Sequence, residues 1–457
     1  MRRWPALATA ILATGCLDGR YRCASTAACM LDGVQGACEP TGFCSFPDPS
    51  CAPTARRYGE LSDPAHRDRC VDDDTAGCIR SVAAGGAHSC AVASDGTVWC
   101  WGANQSGQLG NGSFATAAAP AQVIDAAGDP FTAGDVDAGF DFTCARRLDG
   151  TAWCWGSGPR LGGGDLPDQP TPHQVQTAGG ALDQVVQVSA GASHACAVRR
   201  DGSLWCWGAN DTAQLGDAGI AERRVAAPVR RTDGTAFDGA RLVAAGAGFT
   251  CAARADNTWC WGDDMFAQLG QPGGPETSAA PVVALPAAVT ALAAGGAHAC
   301  AAELDGSVWC WGRAEDGQIG EPGAGGVGVA PVPVQLAGGG GLAGARSVAA
   351  GEAHSCSTTT GGGVRCWGAG DSGQLGDGAI AGADSAVEVA TATGPLGDVV
   401  AVTAGIDDYH AAAGRHACAR QRDAVWCWGA GDSGQLGDGR MQSSAVATPV
   451  ALSRVCP

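Results

Sequence analysis

Short apolar segments separated by polar turns form the dominant pattern of this chain. The first example, CAVASDGTVWCWG at residues 90–102, predicts two short strands joined by a three-residue turn at 94–96, with its glycine in the left-handed region. Pairing the residues on either side of this turn places Cys90 opposite Cys100. Directly paired residues of an antiparallel ladder have Cα atoms about 4.5–5.5 Å apart, a separation that a disulfide accepts. The pattern therefore predicts a hairpin closed by a Cys90–Cys100 disulfide.

The same hairpin recurs six more times, at intervals of 50 to 61 residues between the second cysteines. Such a period indicates a repeat architecture. Two copies are one residue shorter, and a two-residue turn keeps their cysteines opposite each other. Each disulfide is expected to contribute about 2–3 kcal/mol in the chain-entropy model. The six further predicted disulfides are Cys144–Cys154, Cys196–Cys206, Cys251–Cys260, Cys300–Cys310, Cys356–Cys366 and Cys418–Cys427.

Several motif segments recur together in a fixed order around these hairpins. The run VAAGGAHSCAVASDGTVWCWGANQSGQLGNG at residues 82–112 resembles the regulator of chromosome condensation repeat, and its Gly-Gln-Leu-Gly ending returns at 373–376 and 434–437. The resemblance implies an all-β fold in which each copy supplies one four-stranded blade of a seven-bladed β-propeller over residues 78–457. Copy two departs from the motif, because SGPRLGG from Ser157 replaces the usual ending.

The ends of the repeat region suggest how the ring closes. Inside the chain, a Pro-Val segment such as the one at Pro331 is expected to begin each blade and to run on into a Val-Ala-Ala-Gly strand. The last such segment, at Pro449, stops, and the first copy opens at Cys78 without one. We therefore predict that the C-terminal strand completes the first blade. We also predict a Cys78–Cys456 disulfide at this junction.

The N-terminal residues have the layout of an export signal. Arg2 and Arg3 precede a short apolar stretch and small residues before Cys16, so residues 1–15 are predicted to be a signal peptide. The segment resembles a bacterial lipoprotein signal, in which Cys16 is lipidated; an ordinary cleaved secretion signal is the alternative. Residues 16–77 are predicted to form a Cys-rich, disulfide-stapled minidomain with 15 possible connectivities. Its six remaining cysteines are Cys23, Cys29, Cys38, Cys44, Cys51 and Cys70.

The composition indicates the redox compartment of the protein and the classes of ligand that it is not expected to bind. All 28 basic residues are arginine, and 46 acidic residues give a formal net charge of −18. Such a chain is expected to repel nucleic acid. Twenty-three cysteines without any C-x-x-C spacing favour disulfides in an oxidising compartment over metal binding. We expect no cofactor and no metal.

Four features resemble functional motifs but are interpreted as structural. Gly-Asp-Ser-Gly at Gly370 and Gly431 lies in a blade loop without a matching His and Asp pattern, and the G-x-G-x-x-G at 323–328 is followed by a Pro-Val segment, not a helix. Paired tryptophans such as Trp99 and Trp101 indicate blade packing. The fourth feature is a histidine two places before the first cysteine, which alternates with phenylalanine between copies and is therefore a packing position. These histidines are His88, His194, His298, His354 and His416.

One feature breaks the repeat. Copy seven inserts eight residues between Gly405 and His416, in the sequence GIDDYHAAAGRH. Polar and aromatic groups on a loop of a rigid frame are typical of binding sites, so a candidate binding loop is predicted here; a neutral surface insertion is the alternative. The candidate residues are Asp407, Asp408, Tyr409 and His410.

Uniform repeats without converging reactive groups favour a binding protein. We predict a non-catalytic, monomeric scaffold that binds another protein or a cell-envelope component, and that contacts the membrane only through its N-terminal lipid. The predicted location is the outer membrane or cell surface; secretion or the periplasm is the alternative. A propeller lyase or hydrolase that uses the copy-seven insertion is a second hypothesis. Guanine-nucleotide exchange on a small GTPase, which the family resemblance implies, is a third.

Overall fold

The computed structural model divides the chain into two compact units, Met1–Ala76 and Gly77–Pro457. It describes residues 78–452 except 218–221, 232–233, 256, 272–275, 282–284, 286–287 and 408–413. Within the first unit it describes the backbone of five short strands. Met30–Leu31 pairs with Val34–Gln35, and Ala37–Cys38, Cys44–Pro47 and Arg56–Tyr58 form a three-stranded sheet. The signal peptide, Cys16 and the pairing of the six N-terminal cysteines lie outside the described residues and stay predictions.

The second unit is the seven-bladed β-propeller expected from the repeats. Each blade has four antiparallel strands in chain order from the central axis outward. Blades one to three comprise Ile79–Ala84, His88–Ala93, Val98–Gly102, Ala117–Gln122; Asp135–Ala138, Phe142–Arg146, Ala152–Gly156, Gln169–Gln174; and Val185–Ala190, His194–Arg199, Leu204–Ala209, Glu222–Pro228. Blades four and five comprise Leu242–Ala245, Phe249–Ala253, Thr258–Gly262, Glu276–Pro281; and Val289–Ala294, His298–Glu303, Val308–Arg313, Val327–Pro333.

Blades six and seven comprise Ala345–Ala350, His354–Thr359, Val364–Gly368, Ala383–Glu388; and Ala401–Ala404, His416–Arg420, Val425–Gly429, Ser444–Pro449. Two small hairpins extend the outer edges of blades three and seven: Gln176–Thr177 with Gly180–Ala181, and Ala390–Thr391 with Gly394–Pro395. A short 3₁₀ helix, Gly158–Arg160, occupies the atypical ending of copy two. Covered edges protect strands from pairing with other chains.

The central hairpin of every blade has the predicted register. Cys90 pairs directly with Cys100, and the counterpart cysteines do the same in the other six blades. All seven pairs are disulfides with Cα atoms 4.1 Å apart, and their cysteines are buried. The shorter copies keep this pairing, since the backbone N–H of Arg254 donates to the carbonyl of Asn257 and that of Gln421 to the carbonyl of Ala424, with two residues between the partners in each case. Turn length therefore fixes the position of the sulfur atoms.

The Asp-Gly turn also orients the outer tryptophan of the hairpin. Asp95 Oδ1 accepts hydrogen bonds from the backbone N–H and the hydroxyl of Thr97, and Gly96 has a φ of 90°. The Thr97 hydroxyl in turn accepts a 3.1 Å hydrogen bond from Trp99 Nε1. The turn sequence thus specifies both the reversal of the chain and the position of an aromatic side chain.

The predicted route of ring closure is wrong for the described residues. The first blade takes all four strands from its own repeat, and Ser444–Pro449 is the outer strand of blade seven, where Thr448 pairs with Cys427. Proline lacks a backbone N–H and is tolerated on an edge strand, so the Pro-Val segments lie at the ends of outer strands and do not begin the next blade. Cys78 is disulfide-bonded. Cys456 lies outside the described residues, so their mutual pairing stays a prediction.

The ring instead closes through contacts between blades seven and one. Val450 and Leu452 pack in one apolar cluster with Ile79 and Trp101. Ile79 N–H donates to the carbonyl of Arg422, at 3.0 Å. The two ends of the propeller are therefore joined by a core cluster and by main-chain hydrogen bonds.

A glycine after the innermost strand of each blade allows the blades to meet at the axis. A Cβ added at any of the seven would lie only 2.2–2.9 Å from the carbonyl oxygen of the equivalent glycine in the next blade. At five of these junctions the carbonyl also accepts a hydrogen bond from the residue after the glycine, as from Glu352 N–H to Gly405 at 2.9 Å. The seven glycines are Gly85, Gly139, Gly191, Gly246, Gly295, Gly351 and Gly405. The last of them approaches the first, which completes the circle.

A buried hydrogen-bond relay joins neighbouring blades farther from the axis. Trp101 Nε1 donates to the carbonyl of Gln435 at 2.9 Å, and Ser89 Oγ donates to the same carbonyl at 3.0 Å. Ser89 Oγ lies 2.9 Å from His416 Nε2. Because the serine proton goes to the carbonyl, the histidine must donate through Nε2–H, which in the neutral ring leaves Nδ1 unprotonated. Burial agrees with this assignment, since it lowers the pKa of His416 to about 3.

Equivalent relays explain most of the recurring histidines as structural groups. His88, His194 and His298 contact a Thr or Ser hydroxyl of the next blade at 2.7–2.8 Å. The exception is His354, because blade seven has Ala417 at the position where a Thr or Ser hydroxyl would accept its hydrogen bond, and both of its ring nitrogens are buried without a hydrogen-bond partner. A buried polar atom without a partner lowers stability. Blade seven therefore has a repairable defect at this position.

Substituting Ala417→Ser is expected to stabilise the protein by about 1 kcal/mol, because the new hydroxyl can accept from His354 and restore the relay. The matched control is Ala195→Ser, where the preceding blade offers Phe142 in place of histidine, so no gain is expected. Thermal and urea unfolding of both variants measure the difference. Equal effects of the two substitutions would contradict the assigned relay.

Candidate functional site

Two kinds of loop gather on one face of the propeller, here named the loop face. It comprises the turns between the first and second strands, such as 85–87, and the loops between the third and fourth strands, such as 103–116. The opposite hairpin face carries the Asp-Gly turns, including Leu148 and Leu304. The copy-seven insertion belongs to the loop face because it lies between the first two strands of blade seven. The described ends of the insertion, residues 406–407 and 414–415, are therefore on the loop face.

A large cleft opens on the loop face between blades five, six and seven. Its volume is about 1040 Å³, and Ile380 at its margin is 74% exposed. Eight ionisable side chains line it: Arg313, Glu315, Asp316, Glu352, Asp371, Asp384, Asp407 and Arg415. Six of the eight are acidic, so the cleft carries an excess of carboxyl groups. We name it the acidic cleft.

Both arginines of the acidic cleft are already paired. Arg415 Nη1 lies 2.6 Å from Asp371 Oδ2, and Arg313 Nη2 lies 2.8 Å from Glu315 Oε2. The Arg313 guanidinium also lies over the ring of Phe266, 5.3 Å from its centroid. These contacts hold the guanidinium groups against the walls. The other carboxyl groups of the cleft are not balanced by a further arginine among its lining residues.

Glu352 of the acidic cleft has a pKa shifted far from its ordinary value. Its Oε2 atom is buried and has no hydrogen-bond partner. Burial and then the charge of Asp407 raise the pKa of Glu352 to about 7, although a hydrogen bond from the backbone N–H of Asp407 and the charges of Arg313 and Arg415 act in the opposite direction. A carboxyl group with this pKa changes charge near neutral pH. Such groups are frequent at functional sites.

The structure brings one of the predicted loop residues into this cleft. Asp407 is buried beside Glu352, whereas Asp408, Tyr409 and His410 lie outside the described residues. The sequence-based prediction omitted Glu352 and Arg415. Comparison of the copies could have found both, since the two positions between glycine and histidine hold only small residues, phenylalanine or aspartate in other blades.

A second cleft of about 550 Å³ lies on the same face over blades two to four. The ending of copy two is two residues shorter than in copy one, and the 3₁₀ helix places Pro159 and Arg160 along this cleft. Arg160 pairs with Asp141, and Met265 at the margin is 78% exposed. Between the two clefts, Ile406 packs against Ala192 and Ala247 at the end of the central channel. The loop face thus combines two clefts with an apolar centre.

The motifs that resemble catalytic sites occupy structural positions. In the loop that begins at Gly370, Asp371 pairs with Arg415, and Ser372 N–H donates to Gln374 Oε1 at 2.8 Å. The G-x-G-x-x-G segment leads directly into the strand Val327–Pro333. Among the described residues, no group of three His, Cys, Asp or Glu side chains is arranged to hold a metal ion. Across the same part of the chain, no helix is long and apolar enough to span a bilayer.

The fold defines the class of this protein: a seven-bladed propeller with two clefts between the loops of one face. The chain belongs to the RCC1-like domain family, whose model matches residues 56–407. It is 33% identical to the ultraviolet-B receptor UVR8 of Arabidopsis thaliana over 41% of this chain and 42% of UVR8. It is 36% identical to the probable E3 ubiquitin-protein ligase HERC6 of Homo sapiens over 34% of this chain and 16% of HERC6. The alignments therefore cover less than half of these relatives.

Solved structures show the same architecture. Prp20p from Saccharomyces cerevisiae superposes with a TM-score of 0.60 at 22% identity, over 72% of this chain and 80% of that one. Human WBSCR16 superposes with a TM-score of 0.61 at 19% identity, over 72% of this chain and 85% of that one. At these identities the similarity establishes the fold alone.

Proposed function

We propose that this protein is an extracytoplasmic, non-catalytic scaffold whose loop face binds another protein or a cell-envelope component. The observation that carries the proposal is the loop face itself, where two clefts flank an apolar centre and exposed apolar side chains stand at the margins. Exposed apolar groups rimmed by polar residues are typical of interaction sites. A monomeric ring leaves this whole face available to a partner.

The disulfides support a location outside the cytosol. Seven buried disulfides, one in each blade, are unusual for a protein kept in a reducing compartment. We propose that Cys16 carries lipid and anchors the protein at the outer membrane or cell surface, with secretion or a periplasmic location as the alternative. The lipid anchor would be the only contact with the membrane.

The structures of relatives support a protein partner. Prp20p was described together with its binding properties to Gsp1p and histones, and yeast RCC1 (Prp20) also with Kap60 bound. The ligase and exchange activities associated with relatives rest on similarity alone here, since the alignment covers only 16% of HERC6. Among the loop-face residues that the structure describes, no group of side chains supports either activity, and the exposed apolar groups favour the binding of a protein.

The experiment uses the full chain to capture partners from envelope extracts. The loop-face variant Met265→Asp/Ile380→Asp changes two side chains that are 78% and 74% exposed, and the hairpin-face control Leu148→Asp/Leu304→Asp changes two that are 66% and 76% exposed. Exposed substitutions of this kind are expected to change stability by less than about 0.5 kcal/mol. We expect capture to be lost with the first variant and kept with the second. Capture that survives in the first variant, or fails in wild type, would contradict the proposal.

A further inference from the structure

We infer that blade six binds an aromatic side chain of a partner polypeptide, tryptophan above all, in a notch beside Arg365. The notch lies between the turn at 336–339 and the outer-strand residues 386–388, and its volume is about 390 Å³. We name it the blade-six notch. Arg365 is at the hairpin-face end of its strand, so this site is distinct from the loop face and gives the scaffold a second point of contact.

The residue before the second hairpin cysteine distinguishes blade six from the other blades. It is Arg365 in blade six and a tryptophan in every other blade. Arg365 pairs with Glu388 of the outer strand, as Trp205 pairs with Pro228 in blade three, so it occupies the position of the tryptophan in the same register. The six tryptophans are Trp99, Trp153, Trp205, Trp259, Trp309 and Trp426.

The outer tryptophan of a blade packs against the chain segment that follows the preceding blade. In blade two, Trp153 packs with Val123 and Phe131 of that segment, and its ring centroid lies 5.8 Å from that of Phe131. The segment before blade six supplies Val334 and Leu342 to the corresponding cluster. Because this segment and Arg365 both line the notch, the notch corresponds to the place where other blades hold an indole ring. The other tryptophans that pack in this way are Trp99, Trp205, Trp259 and Trp426.

The walls of the blade-six notch fit an aromatic ring. Leu336, Ala337, Ala386 and Val387 contribute apolar surface. An apolar cavity of about 150 Å³ is enough to hold benzene, so the notch has room for an indole. A Cβ added at either glycine of 338–339 would meet no heavy atom within 4 Å, so this turn leaves the notch open on one side. A side chain attached to a partner polypeptide can therefore enter it.

Arg365 supplies a stacking partner for the ring. In blade two, Arg147 lies over Trp153, 5.4 Å from the ring centroid, and blades three and four have equivalent contacts at 5.7 and 6.0 Å. In blade six the guanidinium is part of the notch itself, where its Nη2 atom lies 3.4 Å from Glu388 Oε1. An entering ring would gain a cation–π contact with it. Glu388 also offers a carboxylate acceptor for the N–H of an indole, which favours tryptophan over phenylalanine.

The probe is a capped pentapeptide with 5-fluorotryptophan between two glycines on each side. Fluorine NMR of this peptide with the full chain measures its affinity, without interference from the 14 tryptophans of the protein. The comparison peptide carries trifluoroleucine, which is apolar but has no aromatic ring. Arg365→Trp installs the residue of the other six blades and should fill the notch with the protein's own indole. The matched control is Arg346→Ala, which removes an exposed arginine from another strand of the same blade.

We expect Arg365→Trp to weaken binding of the fluorotryptophan peptide at least about tenfold, because the place of the ring is then occupied. Arg346→Ala should leave the affinity unchanged. The trifluoroleucine peptide should bind wild type at least about threefold more weakly, since it lacks the cation–π contact. Arg365→Trp should also unfold at a higher urea concentration than wild type, because its indole packs beside Val334 and Leu342.

Three results would overturn the inference. They are an absence of binding to wild type, equal affinity of wild type and Arg365→Trp, and unfolding of Arg365→Trp at a lower urea concentration than wild type, which would show that an indole does not fit the notch. None of these results bears on the loop face, because Arg365 lies outside both of its clefts.

Discussion

Gly191→Ala is expected to lower the free energy of unfolding by about 3 kcal/mol, because its Cβ would lie 2.2 Å from the carbonyl oxygen of Gly246. The clash is with backbone of the next blade, so it cannot be relieved by moving a flexible side chain. Relief requires that two blades separate at the axis. Urea unfolding followed by tryptophan fluorescence measures the loss.

The matched control for this prediction is Gly361→Ala, at a turn where an added Cβ would meet no heavy atom within 4 Å. Both changes add one methyl group, and only one of them lies between blades. The control should retain wild-type stability. If both variants unfold at the same urea concentration, the close approach of blades at the axis is not a constraint on this protein.

Removing one hairpin disulfide with Cys196→Ala/Cys206→Ala is expected to lower stability by about 2–3 kcal/mol, because the unfolded chain regains the freedom of the closed loop. Both cysteines are fully buried, so loss of their packing acts in the same direction. Chemical unfolding under oxidising conditions measures the difference. In the presence of dithiothreitol the difference should shrink, since neither unfolded chain then carries the cross-link. A variant as stable as wild type under oxidising conditions would be inconsistent with a structural disulfide.

Local features of the fold were predictable from the sequence because they depend on short stretches of chain. The opposition of Cys90 and Cys100 follows from a three-residue turn, and the shorter copies preserve it with a two-residue turn. The number of blades follows from counting the repeats. Ring closure was not predictable in this way, because a circular repeat has the same period wherever the chain is cut. Only the strand pairing shows that Ser444–Pro449 belongs to blade seven.

The candidate site was predictable only in part. The insertion identified Asp407 because it interrupts the repeat within one copy. The acidic cleft combines this residue with Glu352 and Arg313, which come from two other blades and become neighbours only when the ring forms. The burial of Glu352 Oε2 without a hydrogen-bond partner depends on three-dimensional packing. The sequence signal for these residues was the deviation of a single copy from the repeat. A residue type found in only one copy is not required by the common scaffold.

The most direct test of the account is mass mapping of the unreduced protein recovered from the cells that make it. We predict that each of the seven hairpins yields one linked cysteine pair, with Cys90 joined to Cys100 and its counterparts joined in the same way. Peptides that carry these cysteines as free thiols would contradict both the disulfide-closed hairpins and the proposed location outside the cytosol.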